Sequence, residues 1–152
     1  MITMKAESPR VIICGSMRAW AHMSEVKELL GRRGIDCLMP DTDELSDCST
    51  DAEFDAVKRT ASLKHFRHIQ DAQTDAVLVV NVAKDGQKDY IGPNAFAEIA
   101  IAFASGREVY LLYGTPHTYS DELRAWGARE LHGELDVLAA DMHGSNWHIA
   151  HA

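Results

Sequence analysis

The run Ala76-Val77-Leu78-Val79-Val80-Asn81-Val82 constrains the fold more than any other stretch of the chain. It is too short for a buried helix and too uniformly apolar for a strand with one face in water. It reads as a central parallel strand covered on both faces, and such a strand needs helices above and below it.

The flanking sequence supplies them. Val11-Ile12-Ile13-Cys14 is a second apolar run, ended by Gly15. Ile35 to Met39, closed by Pro40, is a third, and Val109-Tyr110-Leu111-Leu112 a fourth. Met23, Val26, Leu29 and Leu30 recur at helical spacing and stop at Gly34, a C-cap residue. From about Asp51 to Ala72 the stripe Phe54, Val57, Ala61, His65, His68, Ala72 predicts the buried face of a long amphipathic helix. Pro93 suits a first helical turn, and Ala95 to Ala104 is rich in helix formers, with Gly106 as the stop. Ser120-Asp121-Glu122 caps a short helix through Trp126, and Asp136-Val137-Leu138 adds a last strand or helical turn. Alternating strands and helices predict an α/β fold, a flavodoxin-like (Rossmann-like) three-layer sandwich with a four- or five-stranded parallel sheet. The 152 residues predict one domain, with its core at about 10–138 and a frayed tail at 144–152.

Composition narrows the partners. There are 23 acidic residues against 15 Lys and Arg, a net charge of −8, which argues against a nucleic-acid polymer. A small phosphorylated ligand needs only one local pocket and stays open. Cys14, Cys37 and Cys48 form no CxxC pair, which points to a reducing compartment. No signal-peptide pattern opens the chain, and no run approaches the ~20 apolar residues of a membrane helix, so a cytoplasmic protein without membrane contact is expected.

In an open α/β sheet, ligands bind at the carboxyl ends of the strands, at the topological switch point. Three segments converge there: the turn Gly15-Ser16-Met17-Arg18, the loop from Asn81 through Lys84 and Tyr90 to Gly92, and the helix start carrying Asn94 and Glu98. The turn, followed by a helix N-terminus, suits a phosphate, with Arg18 as a fixed cation. It reads equally as a tight βα turn with a surface arginine. It is not a P-loop, since GxxxxGK[ST] is missing. Asn94 and Glu98, four apart, share a helix face, and Glu98 interrupts an apolar helix. Either Glu98 begins the solvent face, or it is a buried carboxylate that needs a partner or a chemical role. His65 and His68 lie on an inward face, as core histidines bonded to backbone or as a general acid. Their spacing can seat two metal ligands, but no third follows at a recognisable distance, so neither a metal nor a cofactor is expected. His148 and His151 fall in the tail and read as disordered rather than chelating.

Taken together, Cys14-Gly15-Ser16-Met17-Arg18, Asp75 through Val82, and the Glu98 helix with its trailing Ile99 and Ala100 resemble the nucleoside 2-deoxyribosyltransferase-like superfamily, which includes the 2′-deoxynucleoside 5′-phosphate N-hydrolases. The stretch Asn81…Lys84…Gly86…Tyr90-Ile91-Gly92-Pro93-Asn94…Glu98, with Tyr119…Asp121-Glu122, is closer to a poorly characterised branch of it. The resemblance implies an N-glycosidase acting on a (deoxy)nucleoside or its 5′-monophosphate through a glycosyl-enzyme intermediate on Glu98. It places the 5′-phosphate at Gly15–Arg18. The family carries an aspartate on the helix before the third strand, which helps protonate the leaving base. Counting back from Asp75 puts His68 at that place, with His65 one turn earlier and nearer the strand ends. Either histidine can act as the acid. This departure leaves two alternatives, a non-catalytic nucleotide-binding or sensing module and deoxyribosyl transfer between bases. The resemblance also implies a homodimer or larger homo-oligomer in which a neighbour completes each site, with Ser120 or Glu122 as the residue it supplies.

Overall fold

The computed structural model describes residues 8–41 and 47–144. The frayed-tail reading, past its first residue Gly144, and His148 and His151 fall outside them. Five strands form one sheet: β1 (Arg10–Cys14), β2 (Asp36–Leu38), β3 (Thr74–Val79), β4 (Glu108–Leu111) and β5 (Arg129–Glu130). Their order is β2-β1-β3-β4-β5 and every pairing is parallel. Five α-helices cover the sheet: α1 (Trp20–Gly31), α2 (Asp51–Gln70), α3 (Pro93–Ala104), α4 (Ser120–Ala125) and α5 (Leu135–His143). This is the flavodoxin-like three-layer sandwich expected from the apolar run, with the larger of the two strand counts. No helix among the described residues is long and apolar enough to cross a membrane.

The pleat of the strands decides which helix each residue meets, because successive side chains point to opposite faces. Val11 and Ile13 of β1, with Ala76 and Leu78 of β3, pack under α1 and α5 against Met23, Val26, Leu30, Leu138 and Met142. Ile12 and Cys14, with Val77 and Val79, face the other way, toward Ile69 of α2, Ile99 of α3 and Leu123 of α4. Cys14 therefore ends β1 on the α2–α3 side of the sheet.

Two elements depart from the sequence reading. Of the strand and helical readings of Asp136-Val137-Leu138 the helical one holds, inside α5, and the fifth strand, unforeseen, is Arg129–Glu130, two exposed residues with no apolar signature. The predicted inward stripe of α2 is buried only at its lower end. His65 and Ile69 are buried, Phe54 is 40 % exposed, and Ala72 lies past the helix end. Length is the reason. A helix of 20 residues spans ~30 Å at 1.5 Å per residue, whereas the 6 residues of β3 span only ~20 Å. Running antiparallel to the strands, α2 starts above their carboxyl ends and drops onto the sheet only in its last turns. Its upper turns become a wall over the sheet edge.

Both ends of α2 are fixed. At the top, Thr50 Oγ1 accepts from the Glu53 N–H at 3.1 Å, and Glu53 accepts from the Ser49 N–H at 2.9 Å, a variant of the capping box. At the bottom, the Arg107 guanidinium donates to the carbonyls of Ile69, Gln70 and Asp71, which the helix end would leave unpaired.

Cys37 on β2 is buried, and burial pushes its thiol up to about 12 from an ordinary 9.0. The unfolded chain ionises this thiol first, so its contribution to stability is complete below pH ~9 and is lost as pH rises toward 12. The urea midpoint should therefore fall more steeply above pH 9 in the native sequence than in Cys37→Ala. Parallel pH profiles for the two proteins would show that Cys37 has no such linkage.

Candidate functional site

The strand order reverses between β1 and β3, so the loops leaving their carboxyl ends diverge and open a crevice. A cavity of about 620 Å³ occupies it. One wall is the turn Gly15–Arg18, the opposite wall the segment Lys84 to Asn94, and the third wall the upper half of α2. His65 and Glu98 line its inner end.

Gly15 allows β1 to end so close to β3. A Cβ there would meet Met23 Sδ at 3.1 Å and the Val80 carbonyl at 3.2 Å, leaving no room for a side chain without displacement. The chain then turns through Ser16, whose side chain makes no cap hydrogen bond, into a 3-10 turn, Met17–Ala19, that leads to α1. Arg18 reaches across to Asp85, Nη1 to Oδ1 at 2.9 Å, and both side chains are largely exposed. Asp85 and Gly86 both have positive φ, and Lys84 and Gln87 exchange backbone hydrogen bonds around them. This two-residue hairpin is the turn that Asp-Gly favours. It holds Lys84 Nζ 4.8 Å from the Tyr90 ring centroid.

Glu98 is not on the solvent face. It shares the inward side of α3 with Ala95, Ile99 and Ala102, and its side chain is only 13 % exposed. Its Oε2 lies 3.5 Å from His65 Nε2, yet this oxygen accepts no hydrogen bond. His65 Nε2 is in turn 3.7 Å from Cys14 Sγ. Three elements thus bring a thiol, an imidazole and a carboxylate together. Burial first, and the Glu98 charge second, raise the Cys14 thiol well above its usual range.

The cavity gathers Gly15, Ser16, Met17, Arg18, His65, Lys84, Tyr90, Gly92, Asn94 and Glu98. Four residues singled out in the sequence lie elsewhere. His68 is half-buried one turn below His65, outside the cavity, and burial lowers its basicity. Asn81 is buried, and both ends of its amide are engaged by backbone. Nδ2 donates to the Gly114 carbonyl at 2.7 Å, and Oδ1 accepts from the Tyr113 N–H at 3.0 Å. Ser120 and Glu122, on α4, line neither this cavity nor a second one of about 590 Å³ beside it.

Sequence reading missed Phe54, Lys58, Ser62 and Phe66, which form the α2 wall. A signal existed, because Lys58 and Phe54 lie seven and eleven residues before His65, on its side of the helix. The cavity thus holds the cations Arg18, Lys58 and Lys84 against the acids Asp41 and Glu98. Arg18 and Asp41 are already paired, with Asp85 at 2.9 Å and Lys64 at 2.6 Å, which leaves Lys58 and Lys84 against Glu98. A chain of net charge −8 has a locally cationic mouth here.

The chain matches no protein-family model and no curated protein sequence.

Asn81 ties the ends of β3 and β4 together rather than facing the cavity. Asn81→Ala should cost about 1–3 kcal/mol in urea unfolding, the usual cost of leaving a buried backbone group unpaired. Ligand affinity measured well below the unfolding midpoint should change little. A large affinity loss at unchanged stability would instead make Asn81 a ligand residue.

Proposed function

We propose that the chain is an N-glycosidase that cleaves the base–sugar bond of a (deoxy)nucleoside or its 5′-monophosphate, with Glu98 as nucleophile. The observation that carries this reading is the Glu98 carboxylate, buried at the inner end of a ligand-sized cavity with Oε2 unpartnered. A buried acceptor without a donor is costly, and such groups concentrate where chemistry needs them.

The rest of the cavity suits the substrate. Its 620 Å³ lies within the ~300–1,000 Å³ of small-molecule sites. The Ser16 hydroxyl, the helix start behind it and Arg18 suit a 5′-phosphate. Phe54, Phe66 and Tyr90 supply aromatic surface for a planar base. The resemblance to the nucleoside 2-deoxyribosyltransferase-like superfamily supports the same assignment.

Glu98 Oε2 attacks the anomeric carbon, the bond to the base breaks, and water then releases the sugar from the glycosyl-enzyme ester. In retaining sites the two carboxyl groups flank the sugar at ~5–5.5 Å. At 3.5 Å, His65 is too close to Glu98 for a sugar to lie between them. It stands on the nucleophile's own side, in contact with the carboxylate at 3.5 Å without a hydrogen bond to Oε2, and positions it by packing. The departing base takes its proton from another lining group, and Lys84, with its ammonium, and Tyr90, with its hydroxyl, both line the cavity. A free base arriving in place of water would give transfer through the same intermediate. Ser120 and Glu122, which line neither of the two cavities described, are the residues that a second copy would bring to the mouth. Light scattering should accordingly give a mass of at least a dimer.

Chromatography of free base released from a panel of nucleosides and their monophosphates tests the reading. Glu98→Gln should lower release by several powers of ten, as loss of a covalent nucleophile does. His65→Ala should lower kcat about 10²-fold at similar KM, the effect of a mispositioned reacting group. Equal release by Glu98→Gln would refute the mechanism. Tight nucleotide binding without release by the native chain would make it a binding module.

A further inference from the structure

Cys14, His65 and Glu98 do more than pack together. One ligand atom from each, Sγ, an imidazole nitrogen and a carboxylate oxygen, all lie within 4.8 Å of one another. The measured edges are 3.7 Å from Cys14 Sγ to His65 Nε2 and 3.5 Å from His65 Nε2 to Glu98 Oε2. Tetrahedral zinc binds sulfur at ~2.3 Å, imidazole nitrogen at ~2.0–2.1 Å and carboxylate oxygen at ~2.0–2.2 Å, which separates sulfur from nitrogen by about 3.6 Å and nitrogen from oxygen by about 3.3–3.5 Å. The two measured edges are those of a zinc tetrahedron to within a few tenths of an ångström. Glu98 Oε2 is buried with no donor to satisfy it, which a cation would remedy. The ligands come from β1, α2 and α3, three elements packed against one another, so the triangle is held by the fold. Two of its three corners, His65 and Glu98, line the cavity.

We propose that Cys14, His65 and Glu98 form a mononuclear site for a divalent transition metal of the zinc type, with a cavity water as fourth ligand. Cys14 binds as thiolate and gives its proton to solvent, His65 binds as neutral imidazole through Nε2, and Glu98 binds through Oε2. Sulfur and imidazole donors select zinc, cobalt or copper over magnesium and calcium. The metal occupies the same carboxylate oxygen that attacks the sugar. On the N-glycosidase reading, and only there, the metal-loaded protein is an off state that metal removal reverses.

The metal-stripped full chain is titrated with Co²⁺, whose bond to thiolate gives a charge-transfer band in the near ultraviolet. The band should saturate at one equivalent and disappear on adding Zn²⁺. Cys14→Ser should abolish it. His65→Gln should weaken binding by more than the roughly 10–100-fold that loss of an outer-shell partner costs. Cys48→Ser should leave band and affinity unchanged, and circular dichroism checks that each variant is folded. Absence of a thiolate band at one equivalent, or its persistence in Cys14→Ser, would overturn the site. In the second arm, one equivalent of Zn²⁺ should suppress base release and a chelator restore it. If the metal-free chain releases no base while the cobalt band behaves as stated, the metal site stands and the glycosidase reading falls.

Discussion

A strand with no face in water must have neighbours on both edges and helices on both sides, and β3 is that strand here. Its burial places β1 on one edge and β4 on the other, so the sheet grows in opposite directions from β1 and β3. The loops that leave those two strands are forced apart, and the crevice between them is a by-product of satisfying β3. Everything in the candidate site inherits its place from that arrangement. Gly15 leaves the end of β1 against Val80, α3 starts beside it, and the surplus length of α2 closes the third side.

Glu98 shows what the fold bears to keep this crevice polar. Desolvating a carboxylate without a hydrogen bond is unfavourable, and apolar residues surround it on α3. An alanine or leucine there would suit the core better by packing alone. His65 Nε2 lies 3.5 Å from Glu98 Oε2, yet that oxygen accepts no hydrogen bond. Stability therefore does not account for a glutamate at this position. A ligand, a reacting carbon or a cation in the cavity would, since each would engage the free oxygen.

The architecture was legible because hydrophobic period and punctuation agree along most of the chain. The run at 76–82, the Gly15 stop and the Pro93 start each have one reading. Arg129–Glu130 was not legible, because a two-residue edge strand carries backbone pairing but no side-chain pattern. Glu98 and His65 could be picked out as polar residues on inward helix faces. The place of Cys14 beside them could not, since a strand residue reads as core until it is known which helices cover its face. Asn81 misled for a related reason. A polar residue at the carboxyl end of a buried strand can face a ligand or brace the next strand, and only the position of Tyr113 and Gly114 decides. The α2 wall was hidden by relative length, since a helix that outruns its sheet turns an apparent core stripe into a cavity lining.

The charges around the mouth complete the argument. Arg18 is held by Asp85, Asp41 by Lys64, and Lys84 lies over Tyr90. Exposed pairs of this kind are worth only ~0–1 kcal/mol. They keep the cations extended toward the cavity while costing little to exchange. An anion entering beside Ser16 can take Asp85's place on Arg18 at almost no penalty and gains the N-terminus of the helix as well. Deeper in, the order reverses. Glu98 Oε2 accepts no hydrogen bond, so a cationic centre that reaches this oxygen breaks none. A sugar carbon that gains positive charge as its base departs and a divalent metal ion are both centres of that kind. On the N-glycosidase reading, the oxygen that attacks the sugar is therefore also the one open to capture by a metal.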